Sequence, residues 1–263
     1  MPIDLTPLAD LVREAARDEL LPRFCHICYE LKADGSMLTE ADLAVNRRLR
    51  VELAARHPQV RFLSEEMSAA EQQAILDSGR PCWCLDPLDG TSNFVAGIPY
   101  FGVSLALIED GQPTLGIIYD PNRDELFSAR AGQGAALNGQ PLRLPAQGLP
   151  LQNGIAMVDF KRLDRALRNR ILDQQPFGSQ RNFGSCALEW GWLAAGRGHA
   201  YLHGGQKLWD IAAGVLILQE AGGHACTLHG EPVFRASLTP RSAVASPYES
   251  VFAEWCDWLG VPR

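Results

Sequence analysis

Apolar residues recur every three to four positions near the start of the chain, which predicts an amphipathic helix. Four of them share one face: Leu8, Leu11, Val12 and Ala15. Thr6 can cap this helix, and Pro22 is expected to end or kink it. A second helix is expected after Thr39, which can cap it, and before Pro58.

Short apolar runs then predict strands. Residues 60–66 and 81–86 are each expected to form a short buried strand. Between residues 99 and 144, two apolar runs meet at Asp110-Gly111, a hairpin signal, and further short strands follow, so we expect an antiparallel sheet. After about residue 150, helical and strand-like segments mix, which favours an α/β fold with helices sandwiched between sheets.

The composition narrows the class of protein. A chain of 263 residues suits one large domain or two closely joined ones, here residues 1–145 and 146–263. A net charge of −7 argues against non-specific binding to nucleic acid or to an anionic membrane. No apolar run reaches the roughly 20 residues of a membrane span, and the acidic N-terminus resembles neither a signal nor a transit peptide, so the expected location is the cytoplasm.

The seven cysteines do not form a recognisable zinc site. Cys25 and Cys28 form one C-x-x-C and Cys82 and Cys84 a C-x-C, but no second well-spaced pair or histidine pair accompanies them. We therefore expect free and mostly buried thiols.

The segment "CLDPLDGTSNF" ends an apolar run with two aspartates, Asp86 and Asp89, on either side of a proline turn. Two carboxylates so spaced can converge on Mg²⁺, and the carbonyl of Leu88 could add an oxygen ligand. The N–H groups of Gly90 and Thr91 could hold a phosphate oxygen. Turn residues or helix caps would give the same pattern, and both interpretations stay open at this point.

Further acids end or begin apolar segments elsewhere. Glu65 and Glu66 close another apolar run, and Asp210 follows Trp209 at the start of an apolar helix. An acid in the first turn of a helix is common without any function. If this helix begins at a cavity shared with the other acids, Asp210 could both stabilise the first turn and take part in a site.

Two motifs resemble those of the inositol monophosphatase family. "WCLDPLDGTSNF" is similar to its pattern W-x-x-D-P-[ILV]-D-G-T-x-N-F, and "WDIAAGVLILQEAGG" to W-D-x-A-A-G-x-x-[IL]-x-x-E-A-G-G. The N-terminal segment "LKADGSMLTEADLAVNRRL", the segment "LSEE" and the connecting segment from Gly116 also resemble that family. The resemblance implies a layered αβαβα sandwich and a Mg²⁺-dependent, lithium-sensitive phosphatase.

The resemblance also assigns roles to residues. It implies five metal-ligand positions: Glu65, Asp86, Asp89, Asp210 and the Leu88 carbonyl. It implies that Thr91, with Glu65, orients the attacking water, and that Gly90, Thr91 and Ser92 contact the substrate. Asp42 falls on an acid close to the site, although three residues after Thr39 it could equally close a capping box.

The substrate-binding positions depart from the family pattern. The G-[ST]-A segment reads Gly184, Ser185 and Cys186, and His203 replaces a glutamate of inositol-specific members. A histidine can donate or accept a hydrogen bond, so a substrate other than inositol phosphate becomes plausible, although an exposed strand end is equally consistent. Lys161 and Arg162 could hold a substrate phosphate or lie on a solvated loop.

The sequence thus indicates a phosphoric monoester hydrolase for inositol monophosphate or a related sugar phosphate. The alternative is a relative acting on fructose 1,6-bisphosphate, histidinol phosphate or a nucleotide phosphate such as NADP or 3′-phosphoadenosine 5′-phosphate. A lesser alternative is a binding partner of the transcription machinery. The resemblance further implies a homodimer.

Overall fold

The computed structural model describes residues 3–24, 29–31, 37–145 and 147–262. The Cys25–Cys28 pair therefore lies outside the described residues. The described helices are α1 Leu5–Glu19, α2 Glu40–Arg56, α3 Ala69–Asp77, α4 Thr91–Ala96, α5 Arg165–Gln174, α6 Cys186–Ala194, α7 Leu208–Glu220 and α8 Glu249–Leu259. Short 3-10 turns cover Leu21–Arg23 and Leu151–Asn153.

The strands form one large sheet, one smaller sheet and an isolated pair. The pair consists of β1 Tyr29–Leu31 and β2 Met37–Thr39. The large sheet contains β3 Arg61–Ser64, β4 Cys82–Asp89, β5 Gly102–Glu109, β6 Gln112–Asp120, β7 Glu125–Arg130, β8 Ala135–Leu137 and β9 Gln140–Pro141, in that order. The smaller sheet contains β10 Ile155–Asp159, β11 Ser179–Arg181, β12 Ala200–Gln206, β13 His224–Cys226 and β14 Arg241–Ser246, in the order β11-β10-β12-β14-β13.

The predicted αβαβα sandwich is confirmed by how the apolar residues divide into clusters. Helices α1 and α2 pack on one face of the large sheet, against alternate residues such as Trp83, Leu85 and Leu105. Helices α6 and α7 fill the space between the two sheets. Helices α5 and α8 cover the outer face of the smaller sheet. The alternation of faces along each strand is what allows one sheet to serve two layers.

Most element predictions are confirmed, with one correction at the first helix. The helix begins at Leu5, and Asp4 is its cap, because the Asp4 carboxylate accepts from the Thr6 N–H at 3.1 Å. The predicted cap at Thr6 is therefore wrong by two residues. Pro22 lies in the 3-10 turn after the helix end, as expected.

The hairpin prediction is confirmed by the backbone. Asp110 and Gly111 have φ angles of 49° and 71°, so both central residues are left-handed, as a type I′ turn requires. They join β5 to β6 in antiparallel register. The large sheet is antiparallel from β4 onward, while β3 runs parallel to β4.

Among the described residues, no helix combines the length and apolar character needed to cross a membrane. Five of the cysteines are described, and none of these five forms a disulfide; Cys82, Cys84 and Cys256 are buried. This agrees with the expectation of buried thiols for the part of the chain that the structure describes.

Candidate active site

A bulge at the end of β4 places the two motif aspartates. Asp86 pairs with Ser104 and Asp89 with Gly102, so three steps along β4 oppose two along β5. Inside the bulge, the Leu88 N–H donates to the Asp86 carboxylate at 3.1 Å. On a regular strand, residues three apart would face opposite sides of the sheet. The bulge allows both carboxylates to lie on the same side.

The start of α7 brings Asp210 to the same place. The Asp210 carboxylate accepts from the Lys207 N–H at 2.8 Å, which fixes the first turn of the helix. The Ser104 hydroxyl donates to the Trp209 carbonyl at 3.1 Å and ties this turn to β5, next to Asp86. The first-turn interpretation and the site interpretation of Asp210 are thus compatible.

Three carboxylates meet at this point. Asp86, Asp89 and Asp210 each offer an oxygen, and these oxygens lie within 4.8 Å of one another. They line a cavity of about 520 Å³, which we call the acidic cavity, together with Glu65 and Thr91. Glu65 is on the wall, but its carboxylate is not part of that group of three.

Burial and mutual repulsion make these carboxylates hard to ionise. The pKa of Asp86 is raised well above its usual range, first by burial and then by Glu65 and the other acids. Burial likewise raises the pKa of Asp210, and Asp89 adds to the shift. Burial raises the pKa of Asp89 to about 6, despite hydrogen bonds from Ser185 and Ala187 that favour its charged form. A group of carboxylate oxygens whose ionisation is this unfavourable is well suited to bind a hard divalent cation, which would stabilise the charged form.

Thr91 and Asp42 form the next part of the site. The Thr91 hydroxyl donates to the Leu88 carbonyl at 3.0 Å and lies 3.5 Å from an Asp42 oxygen. The other Asp42 oxygen accepts from the Thr39 N–H at 2.7 Å and the Thr39 hydroxyl at 2.5 Å. Asp42 therefore closes the capping box of α2, and one of its oxygens lies near Thr91. A functional role for Asp42 stays a prediction.

The segment from Gly184 to Cys186 supports Asp89 from behind. Ser185 is buried, and its hydroxyl donates to the Asp89 carboxylate at 2.6 Å. The Ala187 N–H, in the first turn of α6, donates to the same oxygen at 2.6 Å. Burial raises the pKa of the Cys186 thiol well above its usual range, which favours the neutral thiol over the nucleophilic thiolate.

Several predicted substrate contacts lie off the cavity wall. Gly90 and Thr91 line the acidic cavity, but the following predicted residues are not among its lining residues in the described part of the chain: Ser92, Gly184, Ser185, Cys186, His203 and Lys161. Ser92 and Lys161 are exposed. Arg162, rather than Lys161, lies on the wall, so the loop interpretation fits Lys161 better.

His203 is buried on β12, so the interpretation as an exposed strand end is wrong. Its Nδ1 accepts from the Gly205 N–H at 3.1 Å, which leaves the proton on Nε2. Nε2 lies 3.2 Å from an Asp159 oxygen. Burial alone would raise the pKa of Asp159, but hydrogen bonds from His203 and the Lys161 N–H hold it below its usual range. His203 thus anchors the loop after β10.

Sequence reasoning missed two features of the site. Gln72 is buried on α3, and its amide donates to the carbonyls of Ser64 at 2.8 Å and Glu65 at 3.4 Å. The pair Ser68 and Glu71, a capping box, was the signal for that helix. Lys207 lines the acidic cavity. Only its position just before the second motif could have indicated this from the sequence.

The sequence model of the inositol monophosphatase family matches residues 8–256. The chain belongs to this family of phosphatases. The Nus factor SuhB of Xylella fastidiosa is 36% identical over 211 residues, which span 78% of this chain and 73% of that protein. The inositol-1-monophosphatase of Mesorhizobium japonicum is 35% identical over 205 residues, 76% of this chain and 75% of that protein.

A solved member of the inositol monophosphatase family has the same fold. An IMPase/NADP phosphatase, solved in complex with Mg²⁺ and phosphate, superposes with a TM-score of 0.81 at 25% identity. The match covers 96% of this chain and 95% of that chain.

Proposed function

We propose that this protein is a Mg²⁺-dependent phosphomonoesterase that hydrolyses inositol monophosphate or a related sugar or polyol phosphate. The observation that carries the proposal is the group of carboxylate oxygens from Asp86, Asp89 and Asp210, which lie within 4.8 Å of one another. Asp86 and Asp89 are buried and Asp210 is half-buried, and like charges so close together need a cation to ionise together. The family relative solved with Mg²⁺ and phosphate supports this choice of cation.

The donor set fits Mg²⁺. The three aspartates would hold it with Glu65 and the Leu88 carbonyl, all of which line the acidic cavity. Bound there, Mg²⁺ would neutralise phosphate charge and lower the pKa of an attacking water.

The protein's own groups then position the reactants. The Thr91 hydroxyl lies next to Leu88 and Asp42, and Thr91 lines the same cavity as Glu65, which supports a role for the two in orienting water. Gly90 and Thr91 lie at the start of α4, where the first N–H groups of a helix have no acceptor within the helix and could bind the phosphate. No nucleophilic side chain is needed, because positioning and charge stabilisation supply the catalysis.

A substrate panel tests this function. Phosphate release is measured with inositol 1-phosphate, fructose 1,6-bisphosphate, histidinol phosphate, NADP and 3′-phosphoadenosine 5′-phosphate, with Mg²⁺ or EDTA. We expect release only with Mg²⁺, inhibition by LiCl, and the highest kcat/KM with inositol 1-phosphate. A clear preference for another ester would assign the protein to the alternative branch, and release in EDTA would contradict the Mg²⁺ proposal. A homodimer and a cytoplasmic location stay predictions.

Stability should depend on Mg²⁺ and pH together. The folded-state pKa values of the aspartates are raised, so their stabilising contribution is present at low pH and is lost as pH rises through about 6 and above. Mg²⁺ binds the ionised carboxylates, so at a concentration a hundredfold above its Kd at pH 8 it should raise Tm by about 5–10 °C at that pH. The same Mg²⁺ concentration should raise Tm less at pH 5. Equal rises at both pH values, measured by calorimetry, would contradict the cation site.

Ser185 should tune the metal site without touching substrate. Ser185→Ala removes the hydrogen bond to Asp89 and the cap of α6. We expect the half-saturating Mg²⁺ concentration for phosphate release to rise about 10–100-fold, as for other residues that hold a metal ligand. Asp4→Ala is the matched control, because it removes only the cap of α1. An unchanged Mg²⁺ requirement in Ser185→Ala would show that this contact is merely structural.

A role in transcription is a second candidate, which rests on the similarity to a relative named Nus factor SuhB. It predicts a protein partner that binds independently of catalysis. The test is a pull-down against purified transcription factors with wild type and Asp210→Asn. Equal capture by both would support the role, and no capture by either would count against it.

A further inference from the structure

Two cysteine thiols meet where the edge of the smaller sheet packs on α8. The sulfur of Cys226, on β13, lies 3.9 Å from the sulfur of Cys256, on α8. The strand β13 is at the edge of its sheet and pairs there with β14 alone. The two thiols are 30 positions apart in sequence, so the packing of the strand against the helix is what brings them together.

A second contact holds the same strand against the same helix. The His224 ring stacks on the Phe252 ring, with centroids 5.7 Å apart and an angle of 24° between the ring planes. Residues two apart on a strand share a face, and residues four apart on a helix do so as well. The ring pair and the thiol pair are therefore neighbouring contacts of one interface between β13 and α8, and this interface sets the direction in which each sulfur points.

The two sulfurs are close enough to be joined without moving the backbone far. A disulfide bond is about 2.0 Å long, so the sulfurs have to approach each other by about 2 Å. Rotation about the Cα–Cβ bond moves a cysteine sulfur by at least this distance. Both side chains pack in the apolar cluster on the outer face of the smaller sheet, next to α8.

The two thiols also differ in the way that a reactive and a resolving cysteine differ. Cys226 is half-buried, so an oxidant can reach it, whereas Cys256 is buried. A hydrogen bond with the Cys256 thiol holds the pKa of Cys226 below its usual value. Burial instead raises the pKa of Cys82 to about 11 and that of Cys186 well above its usual range. Because the thiolate is the nucleophile, oxidation should favour Cys226 over these two thiols.

We propose that Cys226 and Cys256 are a redox modification site, at which a peroxide produces a reversible disulfide that fastens β13 to α8. The Cys226 thiolate attacks one oxygen of hydrogen peroxide, the O–O bond breaks, and a sulfenic acid and one water are formed. The Cys256 thiol loses its proton as it attacks the Cys226 sulfur, and the second oxygen leaves as water. The two thiols together lose two electrons and two protons, and the peroxide is reduced to two waters.

The inference is independent of the proposed phosphatase function. Neither Cys226 nor Cys256 is among the described residues that line the acidic cavity. The new bond would close a loop of the chain that contains β14, which reduces the freedom of the unfolded state. The disulfide should therefore raise Tm by about 5 °C.

Peptide mapping tests the proposal. Purified protein is treated with a small molar excess of hydrogen peroxide, the remaining thiols are alkylated, and a tryptic digest is analysed by mass spectrometry. Trypsin cleaves after Arg235 and Arg241, so the two cysteines fall in separate peptides. We expect these peptides to be joined through Cys226 and Cys256, and dithiothreitol to separate them. Calorimetry should give a Tm about 5 °C higher for the oxidised protein than for the reduced protein.

The controls identify which thiols react. Cys25→Ser and Cys28→Ser are combined in the parent protein, because this pair lies outside the described residues and can react by itself. In that background, Cys226→Ser should abolish both the linked peptides and the rise in Tm. Cys256→Ala should leave a sulfenic acid on Cys226, which dimedone traps. Cys186 is half-buried as well and is the internal control, which should stay a thiol.

Two results from the folded parent protein would overturn the inference. One is the absence of linked peptides after peroxide treatment, and the other is a linked pair that forms without any rise in Tm. Dimedone labelling of Cys256 instead of Cys226 would contradict the proposed order of attack. If Cys256→Ala did not fold, the linked peptides of the parent protein would still decide the question. A protein without phosphatase activity would give the same results, so the two proposals fail separately.

Discussion

Asp210→Asn is expected to lower kcat/KM for phosphate release by about 10³-fold, the loss seen when a key electrostatic group is removed from an active site. The asparagine oxygen can still accept from the Lys207 N–H, so the first turn of α7 should survive. The negative charge, however, is lost from the group of three carboxylates. Steady-state kinetics at saturating Mg²⁺ measure the effect.

The melting temperature of Asp210→Asn checks that the variant is folded, and it is not expected to fall. Because the carboxylates repel one another, Asp210→Asn should melt at the same temperature as wild type in EDTA, or higher. Asp110→Asn serves as the matched substitution, since Asp110 lies in an exposed hairpin turn whose left-handed backbone asparagine accepts. Asp110→Asn should keep full activity. If Asp210→Asn released phosphate at the wild-type rate, Asp210 would not be part of the active site.

Trp190→Ala is expected to lower the free energy of unfolding by about 3–5 kcal/mol, the usual loss for a large buried aromatic side chain. Trp190 is fully buried in the layer between the two sheets. Its Nε1 donates to Gln206 at 3.2 Å, and its ring centroid lies 5.0 Å from that of Tyr201. Truncation would leave both a cavity and a buried amide without its partner.

Denaturant unfolding measures this loss in the presence of EDTA, so that metal binding does not contribute. Leu172→Ala is the control, because Leu172 is 58% exposed and its truncation should change stability by less than about 0.5 kcal/mol. Trp190→Phe keeps most of the volume and should lose less than Trp190→Ala. A loss below about 1 kcal/mol for Trp190→Ala would show that the central layer is not packed as described.

Local patterns predicted the fold well because the signals for its helices and turns come from residues that are close in sequence. The capping box of Thr39 and Asp42 and the turn at Asp110-Gly111 each involve residues within a few positions of one another. The first-helix cap was misplaced because Asp4 and Thr6 are both good caps and no short-range signal chooses between them. The helix α3 was missed although Ser68 and Glu71 mark its start.

The core of the site was predictable from its motifs, but its support was not. The approach of Asp86, Asp89 and Asp210 followed from the family resemblance, and the structure brings them together. Ser185 lies 96 positions from its partner Asp89, and His203 lies in another element from its partner Asp159. Such contacts depend on how strands and helices pack, and no local pattern specifies them.

Mg²⁺ binding, measured by titration calorimetry, tests the central claim most directly. The account predicts that wild type binds Mg²⁺ and releases protons at pH 6–7, because the pKa of Asp89 is raised to about 6 and those of Asp86 and Asp210 are raised too. It predicts that Asp86→Asn binds at least about tenfold more weakly, while its backbone hydrogen bond from Leu88 is kept. Equal affinities for wild type and Asp86→Asn, or no Mg²⁺ binding by wild type, would contradict the account.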